Sequence, residues 1–351
     1  MLRYLVIPLL LAGFWLHLEA ISQDAVSNAN SDTISCLPSE APTLLSGDSH
    51  EGKIGLSSYT PLLEPACSSD DSYLSRRWGV SKIEAPQAWH IAKGDQPAIV
   101  AVLDTGIDED NQDLADKLVA EVNFTDSPTS DDLCGHGTHM AGTIAAVAPQ
   151  CQLMNVKVAD DNGKCQPSLV AEGIIWAVDH GAEVINISLC MKSSPDLEEA
   201  VNYAWSQGAV IVAAAGNEGK STPVYPAYYV DCLAVAATDE TDSLALLSGH
   251  GDWVDVAAPG SNIYSELPHN RYGYKSGTST AVAHVSGVAA LAFSIAEDVN
   301  GNGLINDEVR QAIEDGCSPI NAEGTGKGRI NAQETIILIA SSSHLDHSPD
   351  N

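Results

Sequence analysis

Three short motifs carry the residue types of a nucleophilic hydrolase. Asp104 follows the apolar run 99–103, His136 lies between two glycines, and Ser279 follows a Gly-Thr pair. An aspartate that orients a histidine, which in turn takes the proton of a serine, makes that serine a strong nucleophile. Unrelated folds build this triad in different chain orders, so the order Asp, His, Ser is itself informative. The pattern indicates covalent hydrolysis through Ser279.

A fourth motif could stabilise the negative charge that such a reaction develops. Asn217 follows residues 210–216, a run of small and apolar residues that predicts a strand, so its amide would project from the strand end. The second expected donor is the backbone amide of Ser279, because a helix N-terminus has unpaired N–H groups. We expect Thr278 to be the N-cap of that helix.

Apolar runs alternate with helical patterns across the region that must position these residues. This alternation predicts an α/β fold, with a mostly parallel central sheet and helices on both faces. Residues that follow the carboxyl ends of strands in such a sheet gather at one edge, where ligands bind. The predicted strands are 99–103, 153–158, 184–188, 210–215, 233–237 and 254–257, and the predicted helices are 86–92, 137–147, 169–180, 196–207, 280–296 and 306–314.

Composition divides the chain into four segments. Residues 1–20 have the pattern of a secretion signal, and their apolar run, residues 5–16, is too short to predict a membrane span. Residues 21–75 are polar and predict a flexible pro-segment or linker. Residues 76–340 form the predicted folded domain, and 341–351 a polar tail. We therefore expect a secreted protein without a membrane anchor once the signal is removed.

Charge and cysteine content narrow the partners and the compartment. The formal net charge of −31 excludes nucleic acid and anionic membranes as expected partners, because phosphates would be repelled. An even number of cysteines in an exported chain indicates disulfides, but spacing alone does not choose the pairs. The candidates are Cys36 with Cys67, which would close a loop in residues 21–75, and Cys134 with Cys165, which both lie near the expected substrate cleft. The eight cysteines are Cys36, Cys67, Cys134, Cys151, Cys165, Cys190, Cys232 and Cys317.

The segments 101–106, 136–139, 213–217 and 277–279 resemble the four signature segments of subtilisin-like serine proteases, the subtilase family. The likeness covers about residues 76–335 and is greatest to the thermitase branch, through the segments 200–205, 226–229 and 327–332. It implies a subtilisin-like three-layer sandwich and a secreted endopeptidase, made as a zymogen and active on polypeptides as a monomer with broad specificity. The residues implied are the triad Asp104, His136 and Ser279, with Asn217 and the Ser279 amide as the oxyanion hole.

The resemblance also implies how a substrate is held. Two segments would flank an extended peptide, so that main-chain bonds supply affinity and side pockets supply preference. Small residues in the primary specificity pocket indicate room for a large apolar side chain, whereas Glu218 would favour a basic one, and both alternatives stay open. The flanking residues are Ser188, Leu189, Cys190, Lys164, Cys165 and Gln166, and the pocket residues are Ala214, Ala215 and Gly216.

Four departures from the family pattern carry expectations. Thr280 replaces the usual Met after the nucleophile, which predicts tolerance of peroxide. Ala283 replaces a Pro, so the helix that begins near Ser279 should run without a kink. Cys190 replaces a Gly, and its side chain would narrow the specificity pocket or hold a disulfide. A loop that wraps calcium in the family is deleted after residue 146, and Asp113 is the one ligand that remains. We expect this calcium site to be missing and disulfides to supply part of the restraint.

Other features have alternative interpretations. Asp298, Asn300 and Asn302 begin a calcium-like loop, but its twelfth position is not acidic. The chemistry itself requires no cofactor, so calcium would be structural. His139 lies at metal-pair spacing from His136, although a structural role is favoured. The rival functions are a secreted peptide-binding pseudoprotease and a calcium-organised surface protein. Residues 76–77, an Arg-Arg pair, are either a processing site or part of the folded domain.

Overall fold

A parallel sheet organises the molecule. The computed structural model describes residues 76–92 and 97–345, together with the two-residue strand β1 (Asp32–Thr33). Strands of the central sheet are β2 (Ile99–Asp104), β3 (Leu118–Asn123), β4 (Gln152–Lys157), β6 (Val184–Ile187), β7 (Val210–Ala214), β8 (Cys232–Thr238) and β9 (Val256–Pro259). They lie in the order β3-β4-β2-β6-β7-β8-β9, and every neighbouring pair is parallel. The predicted α/β class is confirmed.

The near-continuous apolar strands bury both faces of this sheet. In β2, Val100 and Val102 enter one apolar cluster, while Ala101 and Leu103 enter the other. Successive strand side chains point to opposite faces, so this alternation requires a layer of helices on each side. All four side chains are fully buried.

Helices supply both layers. The first cluster is covered by α3, α6, α7 and α8, and the second by α4 and α5. Helix α6 is buried along its whole length, and it carries the predicted nucleophile into the centre of the molecule. The helices are α1 (Trp78–Lys82), α2 (Ala85–Ala88), α3 (His136–Val147), α4 (Pro167–Asp179), α5 (Pro195–Ser206), α6 (Thr278–Phe293), α7 (Asn306–Asp315) and α8 (Ala332–Leu345).

Two small antiparallel pairs lie outside the central sheet. Strands β10 (Ile263–Leu267) and β11 (Arg271–Lys275) form a hairpin. Strand β1 pairs with β5 (Lys164–Cys165), with Asp32 opposite Cys165 and Thr33 opposite Lys164. The sequence analysis predicted neither pair, because five-residue and two-residue strands give little periodic signal.

Several predicted boundaries differ from the structure. Helix α8 runs to Leu345, five residues into the segment predicted as a polar tail. Strand β3 was missed because it lies at the sheet edge, where none of its side chains is fully buried. The predicted signal segment 1–20, and all of 21–75 except β1, lie outside the described residues. Across residues 76–92 and 97–345, no helix has both the length and the apolar character needed to cross a membrane.

Candidate active site

Asp104 ends β2 at the carboxyl edge of the sheet, as the sequence predicted from its place after an apolar run. The side chain is fully buried. Oδ1 accepts hydrogen bonds from the Thr105 amide at 2.7 Å and from His136 Nδ1 at 2.7 Å, and Oδ2 lies 2.9 Å from the same nitrogen. A buried carboxylate with these partners holds the imidazole ring in one orientation.

His136 is the first residue of α3. Its helix approaches β2 so closely that a Cβ on Gly137 would lie 2.1 Å from the Gly106 carbonyl oxygen, and only glycine fits there. The Gly137 amide donates to Thr105 Oγ1 at 3.0 Å, and Thr105 Oγ1 donates to Asp132 Oδ1 at 2.9 Å. The sequence analysis missed Thr105 and Asp132, because no periodicity marks polar residues that act through loop contacts.

Ser279 is the second residue of α6 and is almost fully buried. Its hydroxyl donates to the Ser188 carbonyl oxygen at 3.2 Å, while Ser188 Oγ donates to the Ser279 carbonyl oxygen at 3.1 Å. Within the described residues, no hydrogen bond joins the Ser279 hydroxyl to His136. Strands β2 and β6 and the helices α3 and α6 thus bring the three predicted triad residues to one edge of the sheet.

Asn217 lies beyond the end of β7 with its side chain beside the start of α6. Its Oδ1 accepts from the Thr278 amide at 2.8 Å and from Thr278 Oγ1 at 3.0 Å. A Cβ built on Gly277 would lie 3.2 Å from Asn217 Nδ2, so this nitrogen faces the nucleophile loop. Thr278 was predicted to be the N-cap of α6, but the N-cap is Gly277. Thr278 Oγ1 instead accepts from the Gly216 amide at 3.2 Å.

The predicted substrate-flanking residues lie on two segments. Lys164 and Cys165 form β5, and Gln166 is the N-cap of α4. A cleft is lined by residues of both segments, of the β7 end and of α6. Those of the predicted site that line it are Cys165, Ser188, Leu189, Cys190, Ala215, Gly216, Asn217 and Ser279.

Cys190 projects towards the predicted specificity pocket. Its Sγ donates to the carbonyl oxygen of Ala214, which ends β7, at 3.4 Å. The same sulfur lies 3.9 Å from the position that a Cβ on Gly216 would occupy. Ala214 and Ala215 are buried at this end of β7, so the small residues leave space that the Cys190 side chain partly fills.

The cysteines differ from the expected pairing. Cys134 is disulfide-bonded, and its partner lies outside the described residues. The pairing of Cys134 with Cys165 across the cleft is therefore wrong, because Cys165 keeps a thiol and packs into the apolar cluster beneath α4. Burial raises the pKa of the Cys151 thiol to about 12, as expected for an inert core cysteine. The predicted link between Cys36 and Cys67 lies outside the described residues.

Helix α6 shows what the departures from the family pattern do. Thr280 is buried, and its Oγ1 donates to the Gly277 carbonyl oxygen at 2.9 Å. The helix continues through Ala283 without a break. His284 is buried with Nδ1 2.8 Å from the Thr280 carbonyl oxygen, and burial lowers the pKa of His284 to about 4.

His139 also has a structural environment. Its Nε2 lies 3.0 Å from the Ile263 carbonyl oxygen, and burial holds the pKa of His139 well below its usual value. Within the described part of the chain, no group of three His, Cys, Asp or Glu side chains is arranged to hold a metal ion. The histidine therefore joins α3 to the β10–β11 hairpin.

Two regions bear on calcium. Tyr272 Oη donates to Asp113 Oδ2, so the one carboxylate retained from the family calcium site has a protein partner. In the Asp298 loop, the carboxylate accepts from the amides of Gly301 and Gly303, both at 2.7 Å. The amide nitrogens of Asn300 and Asn302 donate to one oxygen of a carboxylate at the start of α7, Asp307 Oδ2, at 2.8 and 3.0 Å.

Comparison with known proteins identifies the class that this fold and site define. Residues 95–328 match the model of the subtilase family. The chain is 43% identical over 292 residues to thermitase of Thermoactinomyces vulgaris, across 79% of this chain and 99% of the relative. It is 38% identical over 268 residues to subtilisin BL of Lederbergia lenta, across 73% of this chain and 97% of the relative. The chain belongs to the subtilase family and is a subtilisin-like serine protease.

Another relative agrees. A thermophilic serine proteinase of Bacillus sp. (strain AK1) is 43% identical over 282 residues, across 76% of this chain and 69% of the relative. The expected likeness to the thermitase branch is confirmed, and polypeptides are the substrate class of this family.

Proposed function

We propose that this subtilase is a secreted endopeptidase in which Ser279 is the nucleophile, His136 the general base and Asp104 the residue that orients the histidine. The contact between His136 Nδ1 and Asp104 Oδ1, 2.7 Å long and buried, carries the proposal. Because this contact engages Nδ1, the other ring nitrogen, Nε2, is left to accept a proton. No cofactor takes part in this chemistry.

The reaction begins with a rotation of the Ser279 side chain. Its hydroxyl leaves the Ser188 carbonyl oxygen, donates to His136 Nε2, and loses its proton to that nitrogen as Oγ attacks the peptide carbonyl carbon. The oxyanion accepts hydrogen bonds from Asn217 Nδ2 and the Ser279 amide. The histidine then protonates the leaving amine, and water attacks the acyl-enzyme through the same base.

The proposed substrate path runs along β5. This edge pairs with an extended antiparallel chain, β1, with Thr33 opposite Lys164. A substrate that adds as a strand would use the same main-chain groups, whatever its side chains. Broad specificity follows, because only the pocket at the end of β7 reads a side chain.

The same pairing supports synthesis as a zymogen. Strand β1 belongs to the segment upstream of the folded domain and occupies the edge that the substrate needs, so this segment acts as an intramolecular inhibitor. Thr33→Pro removes a backbone donor and disfavours strand pairing. In the Ser279→Ala background, it should tighten binding of a labelled peptide to the full chain, while Thr33→Val, which keeps the donor, should not. Equal binding by both variants would exclude this role for β1.

Labelling with a fluorophosphonate tests the catalytic proposal. Modification of purified, processed protein at Ser279, lost in Ser279→Ala, is the expected result, since only an activated serine reacts. A folded protein that is not labelled would instead support the peptide-binding pseudoprotease. Secretion is tested separately, by sequencing the N-terminus of protein recovered outside the producing cell.

A further inference from the structure

Asp132 is a buried carboxylate beside the candidate triad that the proposed reaction does not use. The residue is 1% exposed, and among residues 76–92 and 97–345 its hydrogen bonds come from backbone amides and threonine hydroxyls. Oδ1 accepts from the amides of Cys134 at 3.0 Å and Gly135 at 2.7 Å. Oδ2 accepts from the Thr138 amide at 2.9 Å and from Thr138 Oγ1 at 2.7 Å. The carboxylate thus satisfies backbone donors on both sides of His136.

The same carboxylate reaches the strand that carries Asp104. Thr105 Oγ1 donates to Asp132 Oδ1, and it accepts from the Gly137 amide. Thr105 directly follows Asp104, so the end of β2 is joined to the first turn of α3 by one direct hydrogen bond from the Gly137 amide and by a second path through Asp132. The N–H groups in the first turn of a helix have no acceptor within the helix, and here Asp132 and Thr105 supply acceptors.

The start of α3 packs so closely against the end of β2 that no side chain fits at Gly137. A Cβ on Gly137 would lie 3.1 Å from Asp104 Cβ and closer still to the Gly106 carbonyl oxygen. The His136 ring sits in this contact with its Nδ1 within 2.9 Å of both Asp104 oxygens. A small shift of α3 would therefore change the distance on which general-base catalysis depends.

The titratable groups around His136 come from several elements. Asp104 lies on β2, Lys275 ends β11, and His139 follows one turn later on α3. Burial lowers the pKa of Lys275, against the opposing attraction of Asp132 and Asp104. Lys157 Nζ, on β4, donates to the Asp131 carbonyl oxygen at 3.1 Å. The same nitrogen forms an ion pair with Asp161 Oδ1 at 2.8 Å. Asp132 and Asp104 are thus two buried carboxylates beside the start of α3 and at the end of β2.

We propose that Asp132 is a positioning residue for catalysis: it fixes the start of α3 against the end of β2 and so holds the His136 ring against Asp104. This inference rests on the proposed function of Asp104, His136 and Ser279. Asp132 touches none of the reacting atoms; it acts through the histidine. Thr105 transmits its effect to the strand.

Two pairs of variants test this role. Asp132→Asn removes the charge, and Asp108→Asn is its control, because Asp108 is also a buried carboxylate but accepts from the amides of Asp110 and His269, neither on α3. Thr105→Val breaks the link between β2 and α3, and Thr105→Ser retains the hydroxyl. Each is compared with the wild type in kcat, in KM, and in the NMR resonance of the His136 ring proton that bonds to Asp104.

Asp132→Asn should lower kcat by about 100-fold with KM changed by less than about threefold, because positioning affects the transition state. The NMR resonance of the His136 ring proton that bonds to Asp104 should also move to higher field, because this hydrogen bond lengthens when α3 shifts. Thr105→Val should lower kcat by about 10-fold or more, whereas Thr105→Ser and Asp108→Asn remain within about threefold of the wild type.

Equal losses of kcat in Asp132→Asn and Asp108→Asn, with the ring-proton resonance unmoved in both, would overturn the proposal, because burial alone would then explain both. If Asp132→Asn does not fold, the threonine pair decides, and equal kcat values for Thr105→Val and Thr105→Ser would overturn it. The NMR resonance needs no turnover. A wild type that the fluorophosphonate does not modify would therefore refute the proposed function, while the resonances still test the positioning.

Discussion

Arg77 and Glu266 form a buried ion pair, with 2.5 Å between Nη2 and Oε1. The two side chains are 10% and 4% exposed. Arg77 Nη1 also donates to the Gly142 carbonyl oxygen at 3.3 Å, so the pair ties the chain before α1 to the β10–β11 hairpin and to α3. Arg76 stacks over the Tyr264 ring, 5.5 Å from its centre. Both arginines of the pair thus contact the folded domain, and Arg76 is itself exposed.

Breaking this ion pair should destabilise the protein. Glu266→Gln leaves the Arg77 charge buried without its counter-charge, and we expect the free energy of unfolding to fall by about 3–5 kcal/mol. Urea unfolding measures this from the midpoint and slope. Glu218→Gln is the matched control, since Glu218 and Lys220 form an exposed pair, and it should leave the midpoint unchanged. Equal midpoint shifts in both variants would contradict the assignment.

His284 should make the protein less stable in mild acid. Burial lowers the pKa of His284 to about 4, so below pH 6.5 the unfolded chain binds a proton that the folded chain does not. Its contribution is complete above about pH 6.5 and is lost as the pH falls towards 4, at up to about 1.4 kcal/mol per pH unit. Unfolding at a series of pH values measures the slope.

The control for this pH dependence is His284→Gln. Its unfolding free energy should fall less steeply between pH 6.5 and 4 than that of the wild type, because one buried neutral histidine has been removed. His139, whose pKa is also lowered by burial, continues to contribute in both proteins. Identical slopes in the two proteins would show that His284 does not titrate as its buried environment requires.

The sequence predicted the elements that have a long apolar or periodic pattern. It missed the features whose positions depend on contacts between residues far apart in the chain. Strand β2 and helix α6 are apolar over long runs, so periodicity located them and the motifs at their ends. Asp132 and the hairpin β10–β11 carry no such signal, because their positions are decided by hydrogen bonds to distant residues. The N-cap of α6 was assigned to Thr278 on residue preference, but its hydroxyl bonds to Asn217 instead.

Thr280 should protect the enzyme from peroxide. The side chain beside Ser279 is a buried threonine, which has no sulfur to oxidise. Activity after incubation in dilute peroxide is expected to be retained by the wild type and lost by Thr280→Met, each compared with its own untreated sample. Loss of wild-type activity would show that another group near the site, such as the buried Met191, is the sensitive one.

Cys190 should restrict the primary specificity pocket. Its Sγ bonds to the Ala214 carbonyl oxygen and lies near Gly216, so Cys190→Gly would open space at the end of β7. We expect kcat/KM to rise about 10-fold or more for a peptide with a large aromatic residue before the cleaved bond, and to change little for alanine there. Cys190→Ser, with a similar size, is the control. A uniform change for both peptides would contradict a role in the pocket.

Removal of calcium should have little effect on stability or activity. The carboxylate left from the family calcium site, Asp113, accepts a hydrogen bond from Tyr272, and the buried Arg77–Glu266 pair joins the same hairpin to α3. These contacts, rather than the expected disulfides, link the described elements there. A chelator should lower Tm by less than about 3 °C, roughly 1 kcal/mol for a domain of this size, and leave kcat unchanged. If Tm falls further, Asp298→Asn locates the calcium: equal Tm values with and without chelator in that variant would place it in the Asp298 loop.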